Sequence, residues 1–226
     1  MKYVSVAIDG PSGAGKSTVA RAAAAQLGYV YVDTGAMYRT IGLEVCRRGI
    51  SGEDTEGIRS VLPDIRVGIT YENGAQHVLL NGEDVSSEIR TPEIAYYASR
   101  VSAVPEVREF LLNTQRDMAK NGNILMDGRD IGTVILPDAP VKIFLTASAE
   151  SRAERRYKEL AEKGQQVTME SVLHDINERD RQDMNRAIAP LRQAEDAVLL
   201  DTSALTLEES IASVLRIIRE KTEENK

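Results

Sequence analysis

The sequence predicts an α/β protein built on a parallel sheet with helices on both faces. Three observations predict it. Five short apolar runs (Tyr3–Ile8, Tyr29–Val32, Ile124–Met126, Val141–Leu145 and Ala197–Leu200) are separated or followed by segments of helical periodicity, and alternating strands and helices build parallel sheets covered on both sides. The first run leads directly into a glycine-rich phosphate-binding motif. Polar residues follow every run, and parallel sheets bind ligands beyond the carboxyl ends of their strands.

The first run ends at Asp9, and Gly10-Pro11-Ser12-Gly13-Ala14-Gly15-Lys16-Ser17 then completes the pattern G-x-x-x-x-G-K-[ST]. Its glycines let consecutive backbone N–H groups turn inward around a polyphosphate. Lys16 can reach the β- and γ-phosphates, and the Ser17 hydroxyl can ligate Mg2+. Val19, Ala20, Ala23, Ala24 and Leu27 recur at helical spacing, with Gly28 as the stop, so a helix dipole also points at the anion. The second run is followed by Asp33-Thr34-Gly35, and Met37, Ile41 and Val45 suggest a helix. Cys46, the single cysteine, is read there as a small buried hydrophobe.

Roughly ninety residues separate the second and third runs, too many for a simple crossover. Part of them reads as a two- or three-stranded antiparallel meander: Ile65–Tyr71 alternates, and the turn dipeptides Asn73-Gly74 and Asn81-Gly82 flank His77–Leu80. Pro105 fits the first turn of a helix carrying Val107, Phe110, Leu111 and Met118 and closing near Gly122. Asp127-Gly128-Arg129-Asp130 follows the third run and Thr146 the fourth. Ser148 then caps a helix whose Arg152, Arg155 and Arg156 share a face, stopping near Gly164. A further helix follows Thr168, with Met169, Val172, Leu173 and Ile176 on its apolar stripe and Arg179, Asp183 and Arg186 on the other side. After the fifth run and Asp201-Thr202, the last helix opens with a Thr206/Glu209 capping box and buries Leu207, Ile211, Val214, Leu215 and Ile218.

Composition narrows the functions. A length of 226 residues accommodates one large α/β domain with small insertions. A net charge of −7 argues against a general nucleic-acid binder. One cysteine excludes an intramolecular disulfide framework, and His77 and His174 lack metal-ligand spacing. No apolar stretch approaches a membrane span, and the N-terminal run is too short for a signal peptide, so a cytoplasmic location is expected.

The arginines bear on the fate of the γ-phosphate. Asp127 is followed by Gly128 rather than the Glu with which hydrolytic ATPases polarise water, and no Asn-Lys-x-Asp guanine reader is present. Arginines after the strands and in the late helices suit transfer to a second anionic substrate, because positioned guanidinium groups stabilise the charge spread over a migrating phosphoryl group. On these grounds a kinase for any small acceptor, such as UMP or a metabolite, stays open, as does a non-catalytic nucleotide-dependent switch.

Four motifs in order resemble the bacterial cytidylate kinases over essentially the whole chain: the phosphate loop through Thr18, Asp33-Thr34-Gly35-Ala36-Met37-Tyr38-Arg39, Asp127-Gly128-Arg129-Asp130-Ile131-Gly132-Thr133, and Asn185-Arg186-Ala187-Ile188-Ala189-Pro190-Leu191. The resemblance implies a P-loop nucleoside monophosphate kinase fold with a five-stranded parallel core, a small antiparallel β-insertion and a helical lid. It implies one kinase domain over residues 1–226: a core of about 1–33, 104–147 and 191–226, a monophosphate-binding insertion of about 34–103 with its meander at about 65–85, and a lid of about 148–190. The implied reaction is ATP + CMP (or dCMP) giving ADP + CDP (or dCDP) with Mg2+, by a monomer.

Residue by residue, the resemblance assigns Arg39, Arg129 and Arg186 to the acceptor phosphate, with Thr34 nearby. It assigns Ser99, Arg108 and Asp130 to cytosine, and Arg179 and Asp183 to the sugar. Lys16, Arg129 and Arg186 act on the transferring group. Gly10 to Thr18 hold ATP, with Arg152, Arg155 and Arg156 as lid partners of its phosphates and Ser17 on the metal. Cytosine offers acceptors at O2 and N3, which suit an arginine, and a donor amino group at N4, which suits a carboxylate. The stretch Arg181-Gln182-Asp183-Met184 carries fewer charges than the family often shows.

Overall fold

The computed structural model describes residues 3–72, 74–162 and 164–224. In chain order its strands are β1 (Ser5–Asp9), β2 (Val30–Asp33), β3 (Val67–Glu72), β4 (Ala75–Leu80), β5 (Glu83–Asp84), β6 (Ile124–Gly128), β7 (Val141–Thr146) and β8 (Val198–Asp201). Its helices are α1 (Lys16–Leu27), α2 (Thr34–Arg47), α3 (Thr55–Val61), α4 (Pro92–Val101), α5 (Pro105–Met118), α6 (Ala149–Glu162), α7 (Met169–Asn185) and α8 (Leu207–Glu224). A π-helical turn spans Ile131–Ile135. The chain forms two compact units, one of the chain up to Tyr31 with the chain from Gly122, the other Val32–Asn121.

A five-stranded sheet has the order β2-β6-β1-β7-β8, with β1 parallel to β6 and β7, and β7 parallel to β8. Strand β1 is buried on both faces, as its unbroken apolar run requires: Val6 and Ile8 pack with Val19, Ala20 and Ala23 of α1 and Val214 and Ile218 of α8, and Ala7 is equally buried. The register sets Asp9 level with Gly128 and Phe144. The phosphate loop therefore leaves the sheet between β6 and β7, at the crossover point where such sheets take ligands. Helix α6 is capped by Ser148, whose hydroxyl accepts from Ser151 N at 3.1 Å. It packs through Ala153 and Leu160 on Val172 and Ile176 of α7.

In the other unit, α2 lies at the centre of a core that includes Met37, Ile41 and Val45, Val78 and Leu80 of β4, and Val107 and Leu111 of α5. Cys46 packs against that core partly buried. The meander has three strands in the order β3-β4-β5. Asn81 and Gly82 adopt successive positive φ values of 52° and 91°, the pairing a tight hairpin needs. Asn73, half of the other predicted turn, lies outside the described residues.

Several expectations shift. Helices α3 and α4 were not legible: α3 is a short one, and both lie in the long segment where the meander dominates the pattern. Leu207 is exposed at the first turn of α8, and Ile217 is buried instead. Helix α7 stops at Asn185, so Arg186 caps it with an extended backbone rather than continuing its charged face. Among the described residues, no helix is long and apolar enough to cross a membrane.

Candidate active site

The phosphate loop has the backbone its glycines imply: Gly10, Gly13 and Gly15 all have positive φ. Gly10 is also forced by space, since a Cβ there would lie 1.9 Å from the Leu145 carbonyl oxygen. Pro11 and Ala14 are buried, Ser12 is partly covered, and Gly13 and Thr18 face out. Lys16 opens α1 and curls back on the loop, its Nζ donating to the Pro11 carbonyl at 2.8 Å. Burial, reinforced by the Arg129 charge, brings its ammonium down to about 7 against the pull of Asp127, Asp183 and Asp9.

Ser17 Oγ donates to Asp127 Oδ2 at 2.9 Å, and the Tyr31 hydroxyl donates to Asp127 Oδ1 at 2.8 Å. A hydroxyl and a buried carboxylate thus lie side by side where α1 begins. Both are hard oxygen donors, and Mg2+ at phosphate sites takes one or two protein oxygens and completes its shell with phosphates and water. The residues present fit that ion. The sequence pointed to Ser17 alone; Asp127 is the oxygen donor it missed, although an Asp ending a core strand beside a phosphate loop is the signal that marks it.

After β6, Arg129 and Asp130 face a pair from the end of α7. Arg129 Nε donates to Asp183 Oδ2 at 2.7 Å. Arg186 reaches Asp183 Oδ1 at 3.8 Å and Asp130 Oδ1 at 3.5 Å, and its Nε donates to the Ala189 carbonyl at 2.6 Å. Burial opposes the Arg129 charge, and the Asp183 carboxylate outweighs it, holding the guanidinium above its ordinary value. Burial likewise opposes the Asp183 charge, and Arg129 then holds that carboxyl below its usual range, with Arg186 and Arg179 adding to the effect. Two guanidinium groups are therefore fixed by one carboxylate, close enough to Lys16 for Arg129 to depress its ammonium.

The three arginines of α6 separate. Arg152 is buried, donating from Nε to the Ala147 carbonyl and from Nη1 to the Ser12 carbonyl, both at 2.9 Å, and pairing with Asp180 of α7 at 2.7 Å. Arg155 donates to the Thr202 carbonyl at 2.6 Å and lies 3.5 Å from the Ala14 carbonyl. Arg156 lies on the surface with Glu159. Arg152 and Arg155 thus reach the phosphate loop's carbonyls, while Arg156 pairs on the surface. Arg152 was read as a lid residue; its burial against Asp180 joins two helices and is not carried by the spacing of either.

In the other unit, Asp33 caps α2 by accepting from Ala36 N at 3.0 Å and binds Arg39 Nη2 at 2.6 Å. Arg39 Nε is buried with no hydrogen-bond partner among the described residues. Thr34 is buried beside the cap. Arg108, on α5, is buried with its guanidinium 5.4 Å from the centroid of the Tyr38 ring and donates to the Ser102 carbonyl at 3.1 Å. Ser99 lies half-buried on α4. Gln76 of β4 is an unforeseen member: its Oε1 accepts from Asp33 N at 2.8 Å.

The model of the cytidylate kinase family matches residues 6–220. The chain belongs to the cytidylate kinase family. It is 52% identical over 217 residues to the cytidylate kinase of Caldicellulosiruptor saccharolyticus, with 96% of each chain covered. It is 52% identical over 219 residues to that of Caldanaerobacter subterraneus, covering 97% of this chain and 96% of the relative. A solved structure from Eubacterium ventriosum, described as an uncharacterized protein, covers 97% of this chain with 99% of its own at 12% identity and a TM-score of 0.52, a likeness of fold alone. Membership agrees with an ATP-dependent nucleoside monophosphate kinase built on a phosphate loop.

Proposed function

We propose that the protein transfers the γ-phosphoryl group of ATP to CMP or dCMP, in the cytoplasm and as a monomer. The observation that carries the reading is the half-buried Arg129–Asp183–Arg186 cluster beside Lys16. A hydrolase needs a water-activating base at the phosphate loop; a transferase needs fixed cations for two phosphorylated substrates, and this cluster supplies them. Family membership supplies the base and sugar.

Lys16 and the loop amides hold the ATP phosphates, with Arg155, Arg156 and the Arg152-braced Ser12 segment on the donor side. Ser17 and Asp127 would hold Mg2+, which neutralises phosphate charge. Arg39, Arg129 and Arg186 bind the CMP phosphate, and a phosphate oxygen would give the buried Arg39 Nε the acceptor it lacks. Ser99, Arg108 and Asp130 read cytosine, Thr34 supports the phosphate end, and Arg179 and Asp183 meet the sugar.

A coupled assay of ADP formation with CMP, dCMP, UMP and AMP tests the reading. Turnover with CMP or dCMP, with UMP at least about tenfold poorer in kcat/KM, is expected. ATP binding without turnover of any acceptor would replace it with a nucleotide-dependent switch, and equal use of UMP would widen the acceptor class.

A further inference from the structure

Asp9 ends β1 one residue before the phosphate loop, and none of the roles above uses it. It is 5% exposed. Its two carboxylate oxygens accept separately, Oδ1 from Ile131 N and Oδ2 from Gly132 N, each at 2.7 Å. These two amides open the π-helical turn that follows Arg129 and Asp130. The fit is tight at residue 132: a Cβ there would meet Asp9 Oδ2 at 3.3 Å and Lys142 Cδ at 3.2 Å, so these side chains would have to give by a few tenths of an ångström. Charge-assisted bonds of this kind are roughly twice as strong as neutral ones.

We propose that Asp9 is a positioning residue for the acceptor side of the reaction: its carboxylate ties the turn after Asp130 to the strand that feeds the phosphate loop, and so fixes Arg129 and Asp130 relative to Lys16. The inference rests on the acceptor roles proposed for Arg129 and Asp130. The charge is held against opposition, since burial pushes the Asp9 carboxyl up to about 6 although both amides pull it down. Lys16 faces it with favourable charge and Asp130 with unfavourable charge. A side chain whose only task was filling space at this point would not need to be ionised. Val134 N and Ile135 N also bond the Asp130 carbonyl, contacts internal to the turn.

Two variants approach the contact from opposite sides. Asp9→Asn keeps the shape but can accept from only one amide while turning an NH2 toward the other. Gly132→Ala leaves Asp9 intact and pushes the turn away. Both are expected to lower kcat and raise KM for CMP: kcat/KM for CMP falls about tenfold to a hundredfold in Asp9→Asn, the scale of a lost positioning contact, and by a smaller factor of a few in Gly132→Ala, where the neighbours shift by only a few tenths of an ångström. The affinity for an ATP analogue, which also reports folding, stays unchanged. The double variant is expected to lose much less than the product of the two, because one contact is broken twice. Variants that bind the ATP analogue and match the unsubstituted protein in both kcat and KM for CMP overturn the inference, as does a loss confined to ATP. If Asp9→Asn does not fold, Gly132→Ala decides alone. Failure of the unsubstituted protein to phosphorylate CMP is a different result, and removes the reading beneath the inference as well.

Discussion

Asp127 holds Ser17 by one carboxylate oxygen and is itself held by Tyr31 through the other, at 2.9 and 2.8 Å. The carboxylate is thus oriented before any ligand arrives, with Oδ2 beside the serine hydroxyl. If these two oxygens serve Mg2+, Asp127→Asn should cut kcat by about tenfold to a hundredfold and raise the Mg2+ concentration giving half-maximal rate. Tyr31→Phe leaves both donors in place and removes only the orientation, so a smaller shift in the same direction is expected. Rates measured across a Mg2+ titration check both. An Asp127→Asn enzyme with unaltered Mg2+ dependence would remove this carboxylate from the metal site.

Lys16 gives a prediction whose sign follows from its surroundings. Burial and Arg129 bring the free protein's ammonium down to about 7, so at pH 8 it is mostly neutral. A polyphosphate bound against it restores the charge. Binding of ATP at pH 8 should therefore take up about one proton. Calorimetric binding heats should vary with the ionisation enthalpy of the buffer, and should not in Lys16→Met. The same lowering means that the unfolded chain binds the extra proton between about pH 7 and the ordinary lysine range. This group's contribution to stability therefore grows as pH rises through that window and is lost as pH falls toward 7. Lys16→Met should flatten that slope while reducing kcat by orders of magnitude.

How much of this was readable in advance depends on the range of the interaction. The strands, α1, α6 and α8 carry their period, caps or glycine stops locally, and the structure has them within a residue or two; α5 starts at Pro105 as read but ends at Met118, short of the expected stop near Gly122. The phosphate loop was legible because its geometry is dictated by glycines within eight residues. Asp9 reading the amides of Ile131 and Gly132, Arg152 bracing Ser12, and Gln76 reading Asp33 N were not. Each joins residues 43 or more apart, through side chains whose types are also common on surfaces. Arg186 was placed on a helix because Arg179, Asp183 and Arg186 share helical spacing, but the helix ends one residue earlier and Ala189 takes a positive φ of 48°.

Gly10 separates a loop requirement from ordinary helix chemistry. A methyl group there would fall 1.9 Å from the Leu145 oxygen, at a φ of 150°, and backbone cannot yield as a flexible side chain could. Gly10→Ala should abolish ATP binding and lower Tm by several degrees. Gly28→Ala, at the open C-terminal end of α1 with nothing within 4 Å, should cost only about 1 kcal/mol and leave nucleotide binding alone. Thermal unfolding with and without an ATP analogue distinguishes the two.

Arg108 stacks on Tyr38 and gives one N–H to the Ser102 carbonyl, which leaves its planar donor fork held in one orientation. If that fork reads cytosine acceptors, Arg108→Met should raise KM for CMP by tenfold or more with KM for ATP unchanged, since a buried polar base edge left unpaired costs about 1–3 kcal/mol. Tyr38→Leu removes only the ring beneath the cation, worth about 0.5–2 kcal/mol, and should weaken CMP less. A change in ATP affinity of equal size in either variant would place Arg108 outside the acceptor site.

Arg152 and Arg156 come from one helix, and the structure puts them in opposite surroundings. Arg152 is 5% exposed, satisfies two carbonyls and neutralises Asp180. Asp180 Oδ1 is itself buried with no hydrogen-bond partner among the described residues, so it depends on the guanidinium for compensation. Arg152→Met should therefore destabilise the protein by about 3–5 kcal/mol, the usual cost of leaving a buried charge unpaired, and should raise KM for ATP through the loosened Ser12 segment. The companion change Asp180→Asn in that background removes the stranded charge and should recover part of the stability without restoring KM. Arg156 has a surface pair worth little, so Arg156→Ala should leave Tm unchanged and act, if it reaches the ATP phosphates, on KM for ATP alone. Thermal unfolding paired with ATP saturation curves reads all three variants. Equal losses of stability in Arg152→Met and Arg156→Ala would mean that burial does not separate them.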